Sequence, residues 1–354
     1  MPERNLSPQQ MFMDLVADHC PECRFAGHSR DDFRDWKQAS LPRVLATLGN
    51  PPPPAASADP ELVAQWEEHG LIRQRWIINV QQHMAAVLLV NIPRDLAPGE
   101  RRPAILCCHG HGPFGKEPVM GNQSSAELRQ AVETHRYNYG QVMAEHGFVT
   151  YAIDWIGFGE RNDNRKPNHW AGTGGRDWCN LLYLHATMLG MTSLSINVAH
   201  GKAATDVVAQ LPQVDGSRLG VMGLSGGGTM TVWMALCDDR FRAVEIICYS
   251  DLFAAFGVRD NNYCGMQVAP GLFQLVDLPD LQGLLAPRPL LVDIGMHDTC
   301  FRLDSAIACY HQVESIYRAA EASDHLELDL HTGEHGWGGN RSEAFFRRHL
   351  GLAK

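Results

Sequence analysis

The chain has 354 residues, 45% hydrophobic and 20% charged, with 33 glycines and 20 prolines in no repeat; this excludes collagen-like and wholly disordered classes and allows one large α/β domain or two smaller ones. Lys and Arg number 30 against 40 Asp and Glu, a formal charge of −10, which disfavours sequence-independent nucleic-acid binding and adhesion to anionic lipid. No run approaches the roughly 20 apolar residues of a membrane span, and the start, Met1-Pro-Glu-Arg-Asn-Leu6, lacks the apolar stretch of a secretory leader, so a cytoplasmic protein is expected, with no nucleic-acid or membrane partner.

In chain order, two helices are predicted near 8–18 and 30–48. The second stops at Gly49-Asn50, ahead of Pro51-Pro-Pro-Pro54, which cannot continue a helix and make a stiff connector. A short helix near 61–68 is expected to end at Gly70. Residues 1–70 thus read as a helical N-terminal extension, packed on the body or set at the subunit interface of a homo-oligomer.

From residue 71 to 354 the pattern is that of a single α/β domain. Ile72–Val80 and Met84–Ile92 read as an antiparallel pair. Short apolar runs then alternate with helices: strands at 103–108, 148–153, 218–223, 244–249, 290–294 and 326–330, helices near 126–146, 193–211, 304–320 and 340–350. Such alternation predicts a mostly parallel central sheet with an antiparallel start and helices on both faces. Reactive groups then gather beyond the carboxyl ends of the strands. Residues 155–192, rich in Gly, Asn and Trp, read as an insertion bordering the site. The ten cysteines of so long a chain are expected to be reduced thiols, with Cys107, Cys108 and Cys248 inside apolar strand-like runs.

The sharpest local feature is Gly223-Leu-Ser225-Gly226-Gly227, preceded by a strand and followed by a helix-compatible run. A tight strand–Ser–helix turn lifts the hydroxyl clear of the sheet. A serine needs a base, and the base an orienting carboxylate. Asp298 falls just beyond the strand at 290–294, and His335 lies in the Gly-rich loop after 326–330, so the order is nucleophile, acid, base. Asp251, after the strand at 244–249, is the alternative acid, and Asp293 within its strand is less well placed. His331 reads as a strand-end residue and His297 as a loop neighbour. The N–H of Gly226 and that of His111, in His109-Gly-His-Gly112, are the candidate oxyanion donors.

These motifs, together with Asp154-Trp-Ile-Gly-Phe-Gly-Glu-Arg161, Gly295-Met-His-Asp298 and Gly333-Glu-His335-Gly, make the chain resemble the α/β-hydrolase superfamily, and within it the acetyl-xylan-esterase-like, dienelactone-hydrolase-related branch. The resemblance covers residue 71 onward and implies an α/β-hydrolase fold with Ser225, Asp298 and His335 as nucleophile, acid and base. It implies a serine hydrolase cleaving carboxylic esters, acylated carbohydrates or other small esters, with no cofactor. A prolyl-oligopeptidase-type peptidase is the alternative within the fold, though no propeller-length region precedes the catalytic part. A non-catalytic scaffold binding a partner through residues 1–70 is the alternative outside catalysis. Glu160 and Arg161 read as structural ion-pairing groups before substrate contacts, and Trp155, Phe158, Trp170, Trp178 and Trp337 as packing before pocket lining. No metal is expected: Cys20-Pro-Glu-Cys23 has no second ligand pair, and neither His109-Gly-His111 nor His331/His335 carries the metalloprotease glutamate.

Overall fold

The computed structural model describes residues 4–163 and 178–352. Nine strands form one sheet: β1 (Glu61–Glu68), β2 (Leu71–Gln81), β3 (Met84–Pro93), β4 (Arg102–Cys108), β5 (Val149–Ile153), β6 (Val214–Leu224), β7 (Phe241–Ile247), β8 (Leu290–Gly295) and β9 (Leu326–His331). Their order across the sheet is β1-β2-β3-β5-β4-β6-β7-β8-β9. The β1–β2, β2–β3 and β3–β5 pairs are antiparallel, and the pairs from β5–β4 through β8–β9 are parallel.

One element differs in kind from the sequence expectation. Residues 61–68 form an exposed edge strand rather than a helix. Leu62 and Trp66 have the spacing of a helical face, but the chain reverses at His69-Gly70, where both residues have positive φ (53° and 73°) and Glu68 pairs with Leu71. Two consecutive positive φ values are the signature of the tight hairpin turn whose twist matches paired strands. Gly70 therefore closes a hairpin instead of capping a helix, and the sheet begins ten residues earlier than the composition change at residue 71 suggests. The helix expected over 126–146 is two, Ala126–His135 and Tyr139–Glu145, broken where Arg136 takes the left-handed conformation.

The parallel strands are buried on both faces. In β4, Ala104, Leu106 and Cys108 face one hydrophobic cluster, with Trp233 of the helix Gly226–Cys237 and residues of Ser193–Val208 and Leu303–Ala319. Ile105 and Cys107 face the other, with Tyr139, Met143, Phe345 and Phe346. The period-two alternation of a fully apolar run thus serves two cores at once. The N-terminal extension joins the first cluster through Phe33, Val44 and Leu48. It is pinned by backbone bonds as well: the Glu22 and Cys23 N–H groups donate to Gln274 and Leu275 carbonyls. No helix among the described residues is long and apolar enough to cross a membrane.

Candidate active site

The loops leaving β4, β6, β8 and β9 at their carboxyl ends carry the candidate residues. Ser225 directly follows β6 and stands at the N-cap of Gly226–Cys237, with φ 61° and ψ −120°. Such a backbone costs a non-glycine residue on the order of 1–3 kcal/mol and is kept only where surroundings enforce it. Here the Ser225 N–H donates to the Ile247 carbonyl at 2.9 Å, and its own carbonyl accepts from Thr229 N–H at 3.1 Å. The flanking glycines are steric necessities: a Cβ on Gly227 would stand 2.0 Å from the Cys108 carbonyl oxygen, and one on Gly223 2.6 Å from the same atom. The helix is packed that closely onto β4, which forces the serine outward at the turn.

Asp298 and His335 meet. His335 Nδ1 lies 2.8 Å from Asp298 Oδ2, and Asp298 Oδ1 accepts from the Cys300 and Phe301 N–H groups at 2.7 and 3.0 Å. The Asp298 side chain is almost wholly buried. Burial alone would raise its carboxyl; the hydrogen bond and charge of His335, with the two backbone N–H groups, hold it below the ordinary range. Phe301 stacks on the imidazole, centroids 5.8 Å apart at 21°. The His135 ring bonds the His335 carbonyl at 2.6 Å. Phe301 and His135 were not singled out by sequence; neither carries a motif, and only the fold puts them against the base.

Asp251 does not share this contact. It is buried, its Oδ1 takes the Leu252 N–H at 2.6 Å, and burial pushes its carboxyl up to about 6. His331 forms a separate pair with Asp293, Nε2 to Oδ1 at 3.0 Å, while its Nδ1 accepts from Gly333 N–H. Asp293 also takes the Gly338 N–H at 2.9 Å. This second acid–imidazole pair belongs to the frame of the His335 loop. Cys248 is not within a strand: it follows β7 with φ 46°, and its thiol lies within 4.8 Å of the ligand atoms of Asp298 and His335. Ile247, its neighbour, accepts the Ser225 N–H, so the end of β7 borders both the serine and the Asp298–His335 pair. Ser225 Oγ and His335 make no direct hydrogen bond among the described residues.

The loop after β4 lies against the serine. A Cβ on Gly110 would stand 3.2 Å from Ser225 Cβ, and one on Gly226 3.0 Å from His111 Nδ1. The loop is held by a neutral histidine: His109 Nε2 accepts from Trp155 N–H at 2.9 Å, which leaves Nδ1–H to donate to the Gly110 carbonyl at 2.8 Å. Burial drives the His109 imidazole down to about 4, so it stays uncharged. Tyr137 Oη accepts from Gly110 N–H. The Gly226 N–H lies in the first helical turn, whose donors find no acceptor within the helix.

An ion network centres on Lys116, a residue the sequence did not single out. Lys116 is wholly buried, its Nζ 2.7 Å from Asp154 Oδ2 and 2.6 Å from Glu160 Oε2. Burial would lower the ammonium; the two carboxylates reverse that and hold it above its ordinary range. Glu160 also pairs with Arg75. Arg161 donates to the Asp154 carbonyl and to His200 Nδ1. Glu160 is thus an ion-pairing group, as expected, with Lys116 and Arg75 as partners, whereas Arg161 makes hydrogen bonds and no ion pair among the described residues. Trp155 and Trp337 are core, their indole N–H groups bonded to the His109 carbonyl and to Glu245 and Ser342. Phe158 meets the His109 and His111 rings edge-on. Trp178 is half-buried, and Trp170 lies outside the described residues.

Comparison with known proteins bears on the fold and the family. The candidate hydrolase YtaP of Bacillus subtilis is 22% identical over 225 residues, 63% of this chain and 69% of that protein. A candidate acetyl xylan esterase from Bacteroides fragilis superposes with a TM-score of 0.73 at 18% identity, covering 93% of this chain and 83% of that one. A glucuronoyl esterase from Solibacter usitatus superposes with a TM-score of 0.65 at 15% identity, covering 90% and 94%. At these identities the structural likeness shows the fold alone. The model described as the Abhydrolase family matches residues 2–335, and the chain therefore belongs to that family of hydrolases with the α/β-hydrolase fold.

Proposed function

We propose that the protein hydrolyses carboxylic esters through an acyl-enzyme, with Ser225 as nucleophile, His335 as general base and acid, and Asp298 as the carboxylate that orients the imidazole. The observation that carries this reading is the Ser225 turn: a non-glycine residue held at φ 61° between a parallel strand and a helix N-terminus. Asp298 bonded at Nδ1 leaves the far ring nitrogen, Nε2, to exchange protons. His335 takes the hydroxyl proton as Oγ bonds to the carbonyl carbon. The resulting oxyanion is met by the N–H groups of Gly226 and His111, each worth roughly 3 kcal/mol in a preorganised site, and by the positive end of the helix. Collapse breaks the bond to the alcohol, which leaves with the proton from His335. Water then repeats the sequence on the acyl-serine and releases the acid. The serine–imidazole hydrogen bond, open here, is of the kind that tightens with substrate.

An acylated carbohydrate or another small ester is the substrate class, in keeping with the acetyl xylan and glucuronoyl esterases that share the fold. A reducing, cytoplasmic setting is supported by ten cysteines in a chain long enough to fold without disulfides. Short-chain p-nitrophenyl esters should turn over, and aminoacyl p-nitroanilides should not. Hydrolysis of the anilides at comparable kcat/KM would instead favour a peptidase.

A further inference from the structure

Three side chains with no part in the ester chemistry meet at the mouth of the site. The His111 ring rises from the loop after β4, Cys179 lies on the helix Trp178–Met188, and Cys264 immediately precedes the turn Gly265–Gln267 after β7. His111 Nε2 is 2.8 Å from Cys264 Sγ, and the ligand atoms of all three residues lie within 4.8 Å of one another. Cys179 and Cys264 are buried, 1% and 8% exposed, whereas His111 is exposed. We propose that His111, Cys179 and Cys264 form a binding site for a divalent ion of the zinc class.

The donor set argues for that class. Two sulfurs and an imidazole suit zinc and its softer neighbours, and no carboxylate is present to favour magnesium or calcium. The geometry is close to what such an ion needs. Zinc bonds of about 2.3 Å to sulfur and 2.0–2.1 Å to nitrogen, set tetrahedrally, place two sulfurs about 3.8 Å apart and sulfur and nitrogen about 3.6 Å apart. Shifts of about an ångström reach that arrangement, and three protein ligands leave a fourth position for water. Binding converts both thiols to thiolates and releases two protons, with the imidazole entering as a neutral ligand. A simple Cys179–Cys264 link would not account for the third donor, since the imidazole points its Nε2 at the Cys264 sulfur. The ligands come from segments far apart in sequence, which is why no spacing motif announces them.

An ion there ties the insertion helix to the loop whose other face meets Gly226. Ion binding itself does not depend on the esterase reading; its effect on turnover does, because His111 also supplies a proposed oxyanion N–H.

The test uses the full-length reduced protein, stripped with chelator and titrated with Co²⁺. One equivalent should bind, with the near-ultraviolet charge-transfer absorption of two thiolates and the intense visible bands of a tetrahedral site, both abolished by Zn²⁺. Cys179→Ser and Cys264→Ser should each weaken binding at least tenfold, with thermal unfolding of the metal-free variants confirming that they fold. The wild-type spectrum counts thiolates without any variant. Where p-nitrophenyl acetate is turned over, Zn²⁺ should change the wild-type rate at least twofold and leave that of Cys179→Ser unchanged by the ion. Absence of stoichiometric Co²⁺ binding, a spectrum without thiolate bands, or binding retained in both variants would overturn the proposal. So would a Cys179–Cys264 disulfide, two hydrogen masses lighter, whose reduction restores no Co²⁺ binding.

Discussion

Each side chain of the proposed triad is held by a different physical device. Ser225 is held by backbone geometry, Asp298 by two backbone N–H groups and burial, and His335 by a carboxylate at one edge and an aromatic face. The choice between Asp298 and Asp251, open in the sequence, is a matter of reach: both follow strands, but only Asp298 stands 2.8 Å from the imidazole. Asp298→Asn should lower kcat on the order of 10⁴-fold, because the amide no longer stabilises the imidazolium or fixes its tautomer. Asp251→Asn should leave kcat within a few-fold of wild type. Steady-state rates on one p-nitrophenyl ester compare the two directly, and the opposite ranking would move the acid to β7. The candidate nucleophile and base were legible because their motifs are local. Phe301, His135 and Lys116 were not, because each acts across the fold on a residue far away in the chain.

At the level of elements, the strand-end loops are fixed by buried polar groups rather than by their own sequence. Lys116 joins the loop after β4 to the loop after β5 through Asp154 and Glu160. Lys116→Met would leave the Asp154 carboxylate buried without its cation, a change that costs about 3–5 kcal/mol. Thermal unfolding should show a large loss, partly recovered by adding Asp154→Asn; an additive pair would mean that the two groups do not act together. Glu245 of β7 accepts hydrogen bonds from Trp337 and Ser342 and so anchors the far end of the His335 loop. Burial and the nearby Asp293 push its carboxyl up to about 8. Between the unfolded value near 4.5 and about 8, the folded chain keeps a proton that the unfolded chain has lost. Stability from this group is therefore full below about pH 4.5 and falls as pH rises through about 8, by an amount on the order of a few kcal/mol. Glu245→Gln should flatten that decline in melting temperature across this window, and parallel wild-type and variant curves would contradict the assignment.

For the whole molecule, the mixed sheet was readable because buried parallel strands are continuous apolar runs and their helices are long. The misread segment, residues 61–68, is the exposed edge, where no core face imposes a pattern on the side chains and the hairpin turn decides the outcome. The extension before it is integral to the body: its Phe25 N–H bonds Asp280, and Lys37 reaches the Ala286 carbonyl. The sheet brings the ends of β6, β8 and β9 to one rim, where the proposed triad draws on residues 73 and 37 positions apart in sequence. Intact mass and peptide mapping after treatment with a fluorophosphonate ester probe that convergence in a single step. One covalent adduct, located on Ser225, absent from Ser225→Ala and greatly slowed in His335→Ala, is the expected result. A folded protein that takes up no phosphonate, or takes it up equally well without Ser225, would show that this turn does not present an activated hydroxyl.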